Sequence, residues 1–183
     1  MLAKSIVYET LNQTPIYYRQ MNLMAKGEST VGCSGIQAMI ITVILRYLYQ
    51  HLPAKYEIVT NEVGLHIDKN NNLAADIAIY EKSRLNSQEL TEQYLTIPPC
   101  IVIEVDTKAD IQDFQMALDY YTLKTKRLLT FGVNKVIWLS SSSRTILVAE
   151  PDKNWIIHDW NQAVILVDDI ELSLEALMQA RGL

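Results

Sequence analysis

The sequence predicts an α/β (α+β) fold in which helices flank a mixed central sheet. Two long helical patterns alternate along the chain with groups of short apolar segments that are rich in β-branched residues. No internal repeat, low-complexity tract or Pro/Gly-rich linker divides the 183 residues. The length also suits one ordinary domain with a sizeable core. We therefore predict a single domain over residues 1–183, with an N-terminal strand pair and a C-terminal helix as additions.

The first half of the chain is predicted to begin with strands and to continue with a helix. Residues 5–19, SIVYETLNQTPIYYR, read as two short strands around an Asn-Gln-Thr-Pro turn. Ser34 is a candidate N-cap for a helix that runs to about residue 52 and is apolar on most sides. Residues 56–68, YEIVTNEVGLHID, alternate like a strand, and Asn61 breaks the alternation.

The second half is predicted to hold two buried strands, a long helix and a set of shorter elements. After the turn DKNNN come the strands LAADIAIYEK (73–82) and CIVIEVD (100–106). A helical pattern extends from about 111 to 131 and ends at Gly132, a good C′ residue. Four short strands follow, with a closing helix: VIWLSS, TILVAEP, WIIHDW, AVILV and ELSLEALMQARGL.

Composition excludes several classes of function. The net charge of −5 gives no bulk attraction to nucleic acid or to anionic membrane, so such contacts require a local basic patch. Cys33 and Cys100 have no paired spacing and are predicted to be buried thiols. The three histidines are not spaced like metal ligands, so a zinc site is not expected. No secretion signal is recognised, and Arg46 interrupts the longest apolar run. A cytoplasmic protein with no membrane partner is expected.

Acidic residues occur in strands whose other residues are mostly apolar and are therefore predicted to be buried. Alternate residues of a strand share a face, so Glu104 and Asp106 point one way and Val105 points the other. Asp76 stands at the start of its predicted strand, and the two acids Asp76 and Glu104 meet at one end of the sheet if these strands are neighbours. A buried carboxylate is costly unless it is paired or binds a cation. Hard oxygen donors completed by water and a backbone carbonyl suit Mg²⁺.

A lysine lies on the apolar face of the long helix. At 100° per residue, Ala117, Tyr120, Tyr121, Leu128 and Phe131 fall within about 60° of Lys124. A lysine on a buried stripe needs an acidic partner or a function, and the acids of the sheet are candidates for both.

Each of these residues also has a structural interpretation. Glu104 and Lys124 can form a buried ion pair without further function. Asp76 can cap the DKNNN turn, and Asp106 can cap the following helix. Glu62 can be a surface residue, and Gln37 a hydrogen-bonding residue of the core.

The ordered series of Asp76, Glu104 in IVIEVDTKAD and Lys124 in YYTLKTKRLLTFGVNKVIWL resembles the Uma2 family. This family belongs to the PD-(D/E)XK restriction-endonuclease-like superfamily. In that family a "PD" strand leads to an "EV" strand, and a helical lysine follows eight residues before a "GV.EYW" strand. Here that lysine is Lys124, counted back from Gly132. Ala75 replaces the family's proline, Asp106-Thr107-Lys108 replaces "LSP", and Leu128 replaces a tyrosine.

The resemblance implies a restriction-endonuclease-like fold and an endonuclease that hydrolyses DNA phosphodiester bonds with Mg²⁺ or Mn²⁺. Asp76, Glu104 and Lys124 would be catalytic, and the metal would be held by the two acids and the backbone carbonyl of Val105. Supporting roles would go to Gln37, Glu62 and Asp106. A homodimer is expected by analogy alone. The alternatives are an inactive nuclease-fold protein that acts as a binding or assembly module, and a hydrolase of a small phosphorylated compound.

Overall fold

The computed structural model describes residues 7–11, 14–17, 33–85, 88–106 and 114–183. The elements in chain order are β1 Val7–Leu11, β2 Thr14–Tyr17, α1 Gly35–His51, β3 Tyr56–Asp68, β4 Asn71–Glu81, β5 Ile101–Asp106, α2 Phe114–Phe131, β6 Lys135–Ser140, β7 Thr145–Ala149, β8 Ile156–Asp159, β9 Val164–Val167, β10 Ile170–Leu172 and α3 Leu174–Gln179.

Eight of these strands form one mixed sheet. Six of them lie side by side in the order β3-β4-β5-β6-β7-β8, and β5 and β6 are parallel while the other neighbours are antiparallel. Asn72 of β4 pairs with His66 of β3 on one edge and with Thr10 of β1 on the other, so the β1–β2 hairpin lies on the β5 side of β4. The mixed sheet with flanking helices confirms the predicted fold class.

The two faces of the sheet carry separate apolar layers. The layer on one face, called the α1 layer, joins residues of α1 to Ile77, Ile79 and Ile103. The layer on the other face, called the α2 layer, joins Leu128 of α2 to a set of strand residues that includes Ala78, Val102, Val136 and Trp138. Helix α1 starts where the sequence predicts, since the Ser34 hydroxyl accepts a hydrogen bond from the backbone N–H of Gln37 at 3.3 Å.

A bulge in β3 lies opposite Asp76. The β3–β4 register pairs Thr60 with Ile77 but Val63 with Ala75, so Asn61 and Glu62 together oppose Asp76. Their φ angles of 75° and 57° are in the left-handed region, which non-glycine residues seldom adopt. The broken alternation at Asn61 in the sequence marks this bulge.

Strand β4 changes faces at the same place. Leu73 and Ala75 pack into the α2 layer, whereas Ile77 and Ile79 pack into the α1 layer. The Thr60 hydroxyl donates a hydrogen bond to the carbonyl of Asp76 at 2.8 Å. Asp76 therefore stands at the residue where the regular alternation of β4 reverses.

Two expectations about local structure differ from the structure, and a third concerns residues outside the described part of the chain. Asp76 lies within β4, and the preceding turn is capped by Asp68, which accepts hydrogen bonds from the backbone of Asn70 at 2.8 Å and the side chain of Asn71 at 2.7 Å. The closing helix is shorter than predicted, because Ile170–Leu172 pair with β9 across a tight turn at 168–169. Helix α2 is described from Phe114, so the predicted start at 111 lies outside the described residues.

The two cysteines differ in environment. Cys100 is buried, as predicted, and burial raises the pKa of its thiol. Cys33 is exposed at the entry to α1, so the prediction of a buried thiol is wrong there.

Candidate active site

The Asp76 carboxylate lies against the backbone of β5. Its Oδ2 accepts a hydrogen bond from the N–H of Val105 at 2.7 Å. The last antiparallel rung between β4 and β5 joins Ile77 to Ile103, so one further step along the register sets Asp76 opposite Glu104. The reversal of alternation at Asp76 thus places its carboxylate beside β5, next to the residue that carries the second predicted acid.

Glu104 and Lys124 form a buried ion pair on the α2 side of the sheet. Lys124 Nζ lies 3.1 Å from Glu104 Oε1, and the two side chains are only 3% and 8% exposed. Glu104 shares its strand face with Val102 of the α2 layer, and Lys124 reaches it from one turn before Leu128. The helical stripe in the sequence correctly predicts that Lys124 points inward, and Lys126, two residues later, is exposed.

Aromatic side chains surround the ammonium group of Lys124. Its Nζ donates a hydrogen bond to the Tyr120 hydroxyl at 3.2 Å and lies 5.6 Å from the ring centroids of both Tyr120 and Trp138. Trp138 is the parallel register partner of Glu104, and its indole N–H donates to the Thr125 hydroxyl at 2.8 Å. Ring faces, a phenol oxygen and a carboxylate all favour a charged ammonium at this position.

The donor set suits a hard divalent cation. The Asp76 carboxylate lies on the backbone N–H of Val105, and Glu104 is the preceding residue of the same strand. Mg²⁺ in proteins commonly takes one or two carboxylates with water and substrate oxygens. Within the described residues no cluster of three or more His, Cys, Asp or Glu side chains has the geometry to hold a metal. The chemistry of the two acids therefore fits Mg²⁺ or Mn²⁺ with mostly non-protein ligands, and does not fit a closed structural site.

The three supporting residues lie in three different elements, α1, β3 and β5. Gln37 is half-buried in the first turn of α1, a helix that packs on the opposite face of the sheet. Glu62 is exposed within the bulge opposite Asp76. Asp106 ends β5 as the register partner of Ser140, but its side chain, with the helix-capping role considered for it, lies outside the described part of the chain.

Comparison with known proteins identifies the family. A family model described as "Putative restriction endonuclease" matches residues 26–181. The chain belongs to the Uma2 family. Among solved structures, this Uma2 chain matches a "putative nuclease belonging to DUF820" from Anabaena variabilis ATCC 29413, with a TM-score of 0.61 and 15% sequence identity. The match covers 93% of this chain and 89% of that chain, and it shows a shared fold. No curated protein matches.

Sequence reasoning missed how Trp138 and Tyr120 contribute to this Uma2 site. The sequence marks Trp138 only as part of the predicted strand VIWLSS, and Tyr120 only as part of the apolar stripe of the helix. The available signal was the spacing of Tyr120 and Lys124, which lie one helical turn apart and therefore on one face.

In the described part of the chain no helix has the length and apolar character needed to cross a bilayer.

Proposed function

We propose that this Uma2 protein is a Mg²⁺-dependent (or Mn²⁺-dependent) endonuclease that hydrolyses phosphodiester bonds in DNA and acts in the cytoplasm. One observation carries the proposal: the Asp76 carboxylate accepts a hydrogen bond from the N–H of Val105, and the preceding residue, Glu104, pairs with the Lys124 ammonium. Restriction-endonuclease-like proteins generally use divalent metal ions, and the family description supports nucleic acid as the partner.

In this proposal the two carboxylates would hold the cation, assisted by the carbonyl of Val105. The chemistry that such an ion supplies when bound is polarisation of a phosphate oxygen and activation of a water molecule. The hydrogen bond from the N–H of Val105 fixes Oδ2 of Asp76, so the orientation of this carboxylate is set by the sheet before any ligand arrives.

Lys124 would act as a fixed positive charge. Its ammonium would orient the attacking water and stabilise the negative charge that develops on the phosphoryl oxygens. Because only 3% of its side chain is exposed, contact with a phosphate requires the Glu104–Lys124 pair to open. The proposed mechanism thus includes a local movement that uncovers Nζ.

The same burial favours a second candidate from another class. An ion pair this deeply buried can serve to hold α2 on the sheet in a nuclease-fold protein that binds or assembles without cutting. In that case the chain would bind no divalent cation through Asp76, and changes at Lys124 would alter stability alone.

Metal binding and cleavage separate the two candidates. We expect calorimetry to show Mg²⁺ and Mn²⁺ binding by the wild type, and we expect Asp76→Asn to abolish it. Asparagine retains an oxygen that can accept from the N–H of Val105, so the test removes charge while it preserves the local hydrogen bond. Unchanged metal affinity in Asp76→Asn would show that the ligand assignment is wrong.

Cleavage assays on supercoiled plasmid and single-stranded DNA with Mn²⁺ complete the test. Lys124→Met should abolish cleavage, whereas Lys126→Met on the exposed face of the same helix should cut like the wild type. Parallel assays on RNA and on a small phosphomonoester identify the substrate class. If no substrate is cut and no metal is bound, the binding-module candidate replaces the enzyme.

A further inference from the structure

The Lys124 ammonium is held from its own helix as well as from the sheet. Tyr120 lies four residues before Lys124 in α2, so the two side chains share one face of the helix. The lysine Nζ donates a hydrogen bond to the Tyr120 hydroxyl at 3.2 Å. Glu104, whose Oε1 lies 3.1 Å from the same nitrogen, belongs to β5. The two contacts therefore respond differently when α2 or the side chain of Glu104 moves.

Neighbouring aromatic rings fix the direction of the Tyr120 hydroxyl. The Tyr120 ring meets Trp138 edge to face, with 6.2 Å between the ring centroids and 77° between the ring planes. It also lies 5.7 Å from the ring of Tyr121, which packs on Trp138 at 4.5 Å. The indole N–H of Trp138 donates to the hydroxyl of Thr125, the residue after Lys124. The rings that orient Tyr120 are thus tied to the turn of α2 that carries the lysine.

The ion pair and the tyrosine contact behave differently in the proposed function, on which this inference rests. There the Glu104 carboxylate holds a cation and the Glu104–Lys124 pair opens. A lysine released from its carboxylate would regain the rotamer freedom of its four-carbon stem, and its charge would no longer have a defined position. Tyr120 stays beside it, because both residues belong to α2. The rings of Tyr120 and Trp138, each 5.6 Å from Nζ, attract the cation in addition.

We propose that Tyr120 is a positioning residue, whose hydroxyl holds the Lys124 ammonium in place once Glu104 has released it. The ammonium then presents a fixed charge to a phosphate oxygen, because the lysine is ordered before the substrate binds. The role belongs to the phenol oxygen. Tyr120→Phe removes that oxygen and keeps the ring contacts with Trp138 and Tyr121, so it separates positioning from packing.

Nuclear magnetic resonance of the Lys124 ammonium tests the contact on the full chain without metal or DNA. The proton–nitrogen correlation signal is assigned by its loss in Lys124→Met. Glu104→Gln removes the carboxylate charge, and we expect this variant to retain a resolved ammonium signal. Addition of Tyr120→Phe to Glu104→Gln should abolish the signal, whereas addition of Tyr121→Phe, which removes the hydroxyl of the adjacent residue, should leave it. Loss of the signal in Glu104→Gln alone overturns the proposal, as does a signal that persists with Tyr120→Phe.

Single variants give the same comparison if circular dichroism shows that a Glu104→Gln variant does not fold. In the otherwise wild-type chain, Tyr120→Phe should exchange its Lys124 ammonium protons with water about 10-fold faster, as expected for the loss of one hydrogen bond. Tyr121→Phe should match the wild type. Equal exchange rates in the two variants overturn the proposal.

Cleavage kinetics test whether the contact matters for the reaction. Tyr120→Phe should lower kcat about 10-fold and leave KM for DNA unchanged, since the hydroxyl acts through Lys124 and does not touch the substrate. Tyr121→Phe should leave both constants unchanged. An unchanged kcat in Tyr120→Phe, or a change in KM alone, overturns the positioning role. If the wild type cuts no substrate, the proposed function fails, and the resonance measurements alone decide whether Tyr120 holds the ammonium.

Discussion

The Glu104–Lys124 pair makes a quantitative prediction about stability. Lys124→Met keeps the length and apolar stem of the side chain but removes its charge. The carboxylate of Glu104, only 8% exposed, then loses its buried countercharge. Loss of one partner of a buried ion pair costs about 3–5 kcal/mol. With a urea slope of about 2 kcal/mol per M, the unfolding midpoint should fall by about 1.5–2.5 M.

A double variant separates the loss of charge from the loss of packing. Glu104→Gln with Lys124→Met removes both charges and retains similar volumes. It should therefore recover about 2 kcal/mol relative to Lys124→Met alone, since no uncompensated carboxylate is left in the interior. Lys126→Met, on the exposed face of α2, controls for the change of side chain itself and should shift the midpoint by less than about 0.3 M.

The assay is equilibrium unfolding in urea, followed by far-UV circular dichroism because Trp138 contacts the mutated site and its fluorescence baseline will change. Equal midpoints for Lys124→Met and Lys126→Met would refute the reasoning, since the pair would then be solvated. A double variant no more stable than Lys124→Met would show that packing of the lysine stem, and not charge, is what matters.

Three further variants probe the surrounding structure by urea unfolding. Leu128→Ala, at a fully buried residue of the α2 layer, should cost about 2–5 kcal/mol. Gly64→Ala places a Cβ against the ring of Tyr94. Because that ring is half-exposed and can move outward, the free energy of unfolding should fall by about 1 kcal/mol. A loss of all folded protein would contradict this. A hydrogen bond from Lys153 lowers the pKa of the Glu150 carboxyl below its ordinary 4.5. The wild type should therefore be more stable than Glu150→Gln above pH 4.5, and this difference should decline as the pH falls below that value. A difference independent of pH would disprove the assignment.

Much of the fold follows from local pattern in the sequence. The cap at Ser34, the alternation of residues 56–68 and the long stripe around Lys124 each depend on neighbours within a few residues, and the structure confirms them. Even the irregular step at Asn61 was visible, because a single polar residue interrupts an otherwise regular strand. The inward direction of Lys124 required only helical geometry.

Relations between distant segments were harder to predict. Trp138 faces Glu104 through the parallel register of β5 and β6, and no local pattern encodes the register of two strands joined by a helix. The reversal at Asp76 comes from an extra residue in the neighbouring strand, so the sequence of β4 alone gives no sign of it. The strand β10 was missed because its hairpin turn consists of Asp168 and Asp169, without the glycine that usually signals a tight turn.

Asn61 and Glu62, the two β3 residues with positive φ angles, shift the pairing of β3 with β4 by one residue. If either residue were deleted, β3 and β4 would pair without a bulge. The side chain of residue 76 would then point into the α1 layer or into the α2 layer. Its acid would then be withdrawn from the amide of Val105. The position of the Asp76 carboxylate in β4 therefore depends on the number of residues in β3. The length of β3 is constrained for the same reason as the identity of residue 76.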